Sequence, residues 1–271
     1  MSGSEKLHFF DIKSTLPGSS QSWSPNTVRT RLALNYKGIP YSQSFISYPD
    51  IAPLLQSLHV PPIAYQPNMP YTLPAIKHAS VPGEGHTMAD SFPIALHLEK
   101  TFPAPEYPSL FPTSASYTLA VAVGAIISNG LHKAGFSFIV AGVWNILDAP
   151  RGQEYFRRTR EKRVGKPLEE VCPAKGTKEW EDTMNAIVTW LKPLADMLRG
   201  MPGHEKKGPF FEGEKAGYAD FMLVAYFAWF ERANKEIFEI IINAGDGKFK
   251  ELWETCQPWL NGQGEEVEWK I

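Results

Sequence analysis

The 271-residue chain is long enough to bury one large core or two modest ones. Its 27 basic and 29 acidic residues give a net charge of −2 and a pI near 6.4, so nothing advertises nucleic acid or an anionic membrane as a partner. Residues 1–6 are polar, no apolar run reaches ~18 residues, and Cys172 and Cys256 lie far apart without metal-ligand spacing; the expectation is a soluble, cytoplasmic protein with no disulfide framework, no bound metal and no membrane contact.

The first strand is expected at Leu7-His8-Phe9-Phe10-Asp11-Ile12, which is aromatic and β-branched, with a Gly/Ser/Pro-rich loop over 15–24 behind it. Ser22-Trp23-Ser24-Pro25-Asn26-Thr27 then opens an amphipathic run, 28–37, that stops at Gly38. Serine before proline, a periodic stretch and a closing glycine describe a helix whose positive end carries hydroxyls. Such an end favours an anion, a thiolate included. Ser24 is therefore either a plain N-cap or an anion stabiliser, and Ser22 is the competing hydroxyl.

Residues 39–47, with Tyr41 and Phe45 alternating with Ser and Gln, suit a half-buried strand and complete a βαβ unit. A short helix is expected within 49–60, with Ile51, Leu54, Leu55 and Leu58 on one face. Pro61, Pro62, Pro67 and Pro70 mark a long irregular connection. Tyr71–Lys77 reads as a strand interrupted by Pro74, which is either an edge or bulge proline or a cis X-Pro bond that frees the Leu73 backbone for a peptide-like ligand. Met88–Glu99 has the form of a second polar-capped helix start, with Asp90 and Ser91 at its positive end.

A proline-rich linker over 101–112 separates the mixed first part from a second in which the period is helical, at 117–127, 136–147, 184–198 and 219–242. The mixed charges of 151–180 read as a solvated face, and the acidic tail 262–269 as a segment that wraps the surface or frays.

Taken in order, the strand, the Ser24-headed helix ending Tyr36-Lys37-Gly38-Ile39-Pro40-Tyr41, the Leu73-Pro74 strand, the Asp90-Ser91 helix and the helical remainder resemble a cytosolic glutathione transferase over essentially the whole chain. Gly213–Asp220 is similar to that family's capping segment before a buried helix, with Gly217 where Ser or Thr is usual. His97 and Asp90 also depart from the family's commoner Tyr and Glu or Gln. The Ser-Pro-Asn-Thr and Thr-Leu-Pro-Ala-Ile stretches look most like the etherase-like class of fungi, which works with an active-site serine. The resemblance implies an α/β thioredoxin-like, glutathione-binding domain over 1–102, an all-α domain over 113–271 contributing the electrophile site, and association as a homodimer.

Glutathione would be the co-substrate. Its sulfur must be a thiolate to attack, and a free thiol with a pKa near 8.5 is only a few per cent ionised at neutral pH. Lowering that pKa by ~2 units takes about 2.7 kcal/mol, within reach of one hydroxyl donor and a helix N-terminus. The resemblance gives this role to Ser24 or Ser22, the peptide backbone to Leu73 and Pro74, the γ-glutamyl end to Asp90 and Ser91, and the glycyl carboxylate to His59 or Gln56. The other substrate would be a hydrophobic aromatic electrophile, with aryl ethers in its range, against walls such as Tyr117, Phe136, Phe138 and Trp144. The alternative from another class is a non-catalytic binder of hydrophobic aromatic compounds on the same fold.

Overall fold

The computed structural model describes residues 6–67 and 69–270, so most of the polar N-terminal stretch lies outside the described residues. The chain forms two compact units. The first takes in the residues up to Ser109, the stretch Leu147–Phe156 and the tail from Trp259; the second comprises Leu110–Ile146 and Arg157–Pro258. Leu147–Phe156 and the tail thus cluster with the first unit, although both fall within the 113–271 span read as helical.

The first unit runs β1 (Leu7–Ile12), α1 (Pro25–Lys37), β2 (Tyr41–Ile46), α2 (Ile51–Ser57), β3 (Ala75–Lys77), β4 (Thr87–Ala89) and α3 (Ser91–Thr101). Its mixed sheet has the order β4, β3, β1, β2 and a tail strand, Glu265–Glu266. β1 is central and all six of its residues are buried, which is why it reads as a nearly continuous apolar run. β3 is only three residues long because Pro74 has no N–H to give to the ladder. α1 ends as expected, with Gly38 at φ 66° donating to Asn35 O. Beside that end Lys37 is buried, with its ammonium 2.8 Å from both Glu99 and the Pro108 carbonyl, so its charge is paired.

The tail does not fray: it wraps the surface along the β2 edge. It pairs parallel to β2 with Ser42 opposite Glu265, Val267 donates to Gln43 O at 2.8 Å, and the Trp269 ring packs 4.8 Å from those of His8 and Phe10. An otherwise open sheet edge is thereby covered. Burial, reinforced by the charge of Lys77, pushes the His8 imidazole down to about 4, so it is neutral beneath the tryptophan.

The second unit is helical: α4 (Ser116–Ile126), α5 (His132–Ile146), α6 (Arg151–Val164, beginning in the first unit), α7 (Lys178–Arg199), α8 (Tyr218–Ala233), α9 (Lys235–Asn243), α10 (Lys248–Thr255) and α11 (Gln257–Leu260, ending in the first). Thirteen consecutive residues of α8, Tyr218–Phe230, are buried, marking it as the central helix. A Cβ at Gly142 would meet the Ala233 carbonyl at 1.9 Å, so glycine lets α5 approach α8. A five-residue π-helical turn, Ile127–Leu131, joins α4 to α5. The run Ser116–Ile146 is, by length and composition, long and apolar enough to cross a membrane, although no uninterrupted apolar stretch in the sequence announces it; α4 and α5 both pack on α8.

α8 starts at Gly217, whose N–H donates to Asp220 Oδ2 at 2.8 Å, while the Phe211 N–H donates to Oδ1 at 2.8 Å. The cap expected from Gly213–Asp220 is therefore present without a hydroxyl at Gly217.

Candidate functional site

Three stretches that are remote in sequence meet at one end of the first unit's sheet, where β1 and β2 finish. β1 and β2 are parallel with Ile12 opposite Ile46, so α1, which connects them, starts at their carboxyl ends. β3 is antiparallel to β1 with Ala75 opposite Phe10, which brings Leu73 and Pro74 in at that same end. β4 leaves there too: Ala89 lies opposite Ala75, and the Asp90 N–H donates to Pro74 O at 3.1 Å.

Ser24 is the N-cap of α1, and its carbonyl accepts the Val28 N–H at 2.9 Å and the Thr27 hydroxyl at 3.1 Å. Its own side chain caps no helix N–H, and the residue is 7% exposed. A serine that starts a helix without spending its hydroxyl on the cap keeps a donor at the positive helix end.

Ser22 is 0% exposed and turned inward. Its hydroxyl makes no hydrogen bond of full geometry but lies towards the buried Asp11 carboxyl, whose pKa it acts to lower. Burial raises the Asp11 pKa, against the opposing pull of Arg31, Ser22, Thr27 and the Ile12 N–H. Arg31, itself 1% exposed, donates to Ser19 O at 2.9 Å and Gln43 Oε1 at 2.7 Å. This cluster ties the loop that delivers Ser24 to α1 and β2, and sequence reading missed it. The available signal was an aspartate inside an aromatic strand and an arginine within an amphipathic helix.

The Leu73-Pro74 peptide is cis, the second of the two readings of that proline. The Leu73 side chain is buried, and its N–H lies outside the β3 ladder with no partner among the described residues. Asp90 caps α3 by accepting the Phe92 N–H at 3.5 Å, and holds φ 80°, a conformation that aspartate tolerates better than most residues. Its Oδ2 accepts the Tyr65 hydroxyl from the proline-rich connection. Ser91 is buried as the first residue of α3.

His59 is placed elsewhere. It follows α2 with φ 57°, and its Nδ1 is 4.0 Å from Glu84 in the turn between β3 and β4, the hairpin end away from Pro74 and Asp90. Gln56 is exposed on the last turn of α2. The four aromatic residues suggested as walls do not form one surface. Phe138 is core beside Trp180, Trp144 and Phe136 lie under Arg157 and Arg163, and Tyr117 is exposed next to Phe111.

A different aromatic group stands at the carboxyl end of β2. The half-buried rings of Tyr48 and Tyr155 are stacked, with centroids 5.9 Å apart and planes at 11°; Phe156 and Trp23 flank Tyr48. Ser47 donates to Asp148 at 2.9 Å and Arg151 pairs with Asp50 through both nitrogens, which anchors Leu147–Phe156 here. About a hundred residues separate the two halves of this cluster, so no local pattern announces it. Among the described residues no group of His, Cys, Asp and Glu is placed to hold a metal ion.

A thioredoxin-like sheet with a serine-headed helix and a cis-proline at one end of its strands, followed by a helical unit, defines the two-domain architecture of glutathione transferases. Residues 23–101 match the glutathione S-transferase N-terminal domain family and residues 118–259 the C-terminal domain family. The chain is 48% identical to the glutathione S-transferase-like protein ustS of Aspergillus flavus, over 98% of this chain and 95% of that one. It therefore belongs to the glutathione S-transferase family. Among solved structures, the glutathione S-transferase CsGST63524 of Ceriporiopsis subvermispora in complex with glutathione superposes with a TM-score of 0.82 at 31% identity, covering 94% of this chain and 98% of that one. Glutathione transferase GSTFuA3 from Phanerochaete chrysosporium gives 0.81 at 30% identity, covering 95% and 98%. Glutathione as co-substrate fits this family.

Proposed function

We propose that the protein is a glutathione transferase of the etherase-like class, in which Ser24 stabilises the glutathione thiolate for attack on hydrophobic aromatic electrophiles, aryl ethers among them. The observation that carries this reading is the convergence of the Ser24 helix head, Leu73-Pro74 and Asp90-Ser91 at the carboxyl end of β1. The domain over 1–102 holds glutathione. The Leu73 N–H takes the peptide as an added strand. The Asp90 carboxylate takes the ammonium, and Ser91 with the start of α3 takes the γ-glutamyl carboxylate. Ser24 acts as a donor and needs no general base. The electrophile lies beside the half-buried Tyr48–Tyr155 stack, whose aromatic surface suits an aromatic partner. A non-catalytic binder has no use for an uncommitted hydroxyl at that helix end, which favours the enzyme over the binder.

Ser91→Ala is expected to weaken glutathione binding by about 1–3 kcal/mol, the worth of a hydrogen bond to a charged group. Calorimetry reads this directly, and unchanged affinity would reduce Ser91 to a plain helix residue. Turnover of an aryl halide or aryl ether with glutathione, against binding without turnover, separates enzyme from binder.

The homodimer has its support in α4, where Tyr117 and Val121 are about half exposed one turn apart. Val121→Asp is expected to shift sedimentation from dimer to monomer. A wild-type protein that sediments as a monomer at all concentrations would remove the dimer. Two free cysteines, with Cys256 buried, suit the reducing cytoplasm proposed as its compartment.

A further inference from the structure

The connection between α2 and β3 is long and rich in proline, yet several of its described residues are hydrogen-bonded to one another. Ile63 donates to Pro70 O at 2.8 Å and Gln66 to Ile63 O at 3.1 Å, making a closed turn with Tyr65 near its tip. Tyr65 is 69% exposed, so it gains little from packing. Its strong interaction is polar: the hydroxyl donates to Asp90 Oδ2. The direction of that bond is settled, because desolvation and the Asp90 carboxylate push the phenol up to about 12, leaving the proton on the tyrosine at neutral pH.

A carboxylate offers about four acceptor sites. The Phe92 N–H and the Tyr65 O–H occupy two of those on Asp90, at one oxygen each, and leave room for a third donor. The carboxylate is thus held from below by its own helix and from the side by a loop, on a backbone at φ 80°.

We propose that Tyr65 is a positioning residue for substrate: it fixes the Asp90 carboxylate in the orientation that receives the γ-glutamyl ammonium of glutathione, and so couples the proline-rich loop to recognition of that ammonium. This rests on Asp90 as the ammonium partner. The loop orders the acceptor before the ligand arrives, which lowers the cost of binding a flexible zwitterion.

The test is a four-cornered titration by calorimetry, with wild type and Tyr65→Phe against glutathione and its des-amino analogue, glutaryl-cysteinylglycine. Wild type is expected to bind glutathione at least about ten-fold more tightly than the analogue, and Tyr65→Phe to lose about three-fold to ten-fold in glutathione affinity while binding the analogue within two-fold of wild type. If wild type does not discriminate between the ligands, the Asp90 assignment fails and takes Tyr65 with it. If wild type discriminates and Tyr65→Phe does so equally, the Tyr65 proposal alone is overturned, whether or not both affinities fall together through a loosened loop. Tighter binding of glutathione by Tyr65→Phe also overturns it, because the phenol would then be a competitor of the ammonium.

Discussion

Ser24→Ala is expected to lower turnover at neutral pH by about ten-fold to a hundred-fold while leaving glutathione affinity at low pH nearly unchanged. At low pH the sulfur is a neutral thiol in both proteins, and a donor aimed at its anion has little to stabilise. Near pH 7 the wild-type complex is expected to carry a thiolate, whereas in the variant its pKa should return toward ~8.5 and most of it should be protonated. Raising the pH should therefore restore the variant's activity, since hydroxide supplies the anion that the hydroxyl no longer favours. Ser24→Cys should divert the site to mixed disulfides, because a cysteine at a helix N-terminus is a low-pKa nucleophile. Ultraviolet thiolate absorbance of the glutathione complex against pH reads the effect directly. Ser22→Ala is the control: its hydroxyl is buried towards Asp11, so it should leave the titration in place. A curve that moves only for Ser22→Ala would transfer the role to that serine. A curve that moves for neither would leave it to backbone N–H groups or Asn26.

The largest effect on stability is expected at Asp220. Its carboxyl is 1% exposed and receives the Phe211 and Gly217 N–H groups at 2.8 Å each, joining the loop before α8 to the first turn of the central helix. Asp220→Ala strands both donors in a dry environment at about 1–3 kcal/mol apiece, so a loss of about 2–6 kcal/mol is expected. Burial, outweighing those two bonds and Lys206, raises the Asp220 pKa to about 7, above its unfolded value of 3.8. The folded state then holds the extra proton between these values, so the stabilisation is fully present below about pH 4 and is lost as pH rises through about 7. Asp220→Asn should remove this pH dependence and keep part of the stability. Denaturant titrations at pH 5 and pH 8 measure both quantities. An Asp220→Ala midpoint close to wild type would mean that water or a rearranged loop satisfies the two donors.

Helix ends were the most legible features because their code is short. Ser24-Pro25 and Gly38 bracket α1, Asp90 caps α3, and Gly217 with Asp220 starts α8, each through bonds spanning a few residues. The helical second half was legible for the same reason, since a 3.6-residue period needs no partner to be recognised. The family resemblance depended on the order of these local signals and survived Gly217 in place of a hydroxyl residue.

What escaped sequence reading was set by contacts between distant residues. β4 is three residues of no particular composition, and only its pairing with β3 makes it a strand. The acidic tail becomes the fifth strand because the β2 edge has open backbone groups and the His8 and Phe10 rings accept Trp269, a condition that residues 262–269 do not encode. His59 had a suitable side chain, but the register of the β3–β4 hairpin carries its neighbour Glu84 to the end away from Pro74 and Asp90. The inward turn of Ser22 likewise depends on Asp11, a partner that burial supplies and that the local sequence does not announce. Hydrogen-bond periodicity and capping act over three or four residues and are written locally, which makes the elements and their order readable in the chain; strand register, edge coverage and the direction a buried hydroxyl faces depend on what the rest of the chain brings alongside, and they emerge only on folding.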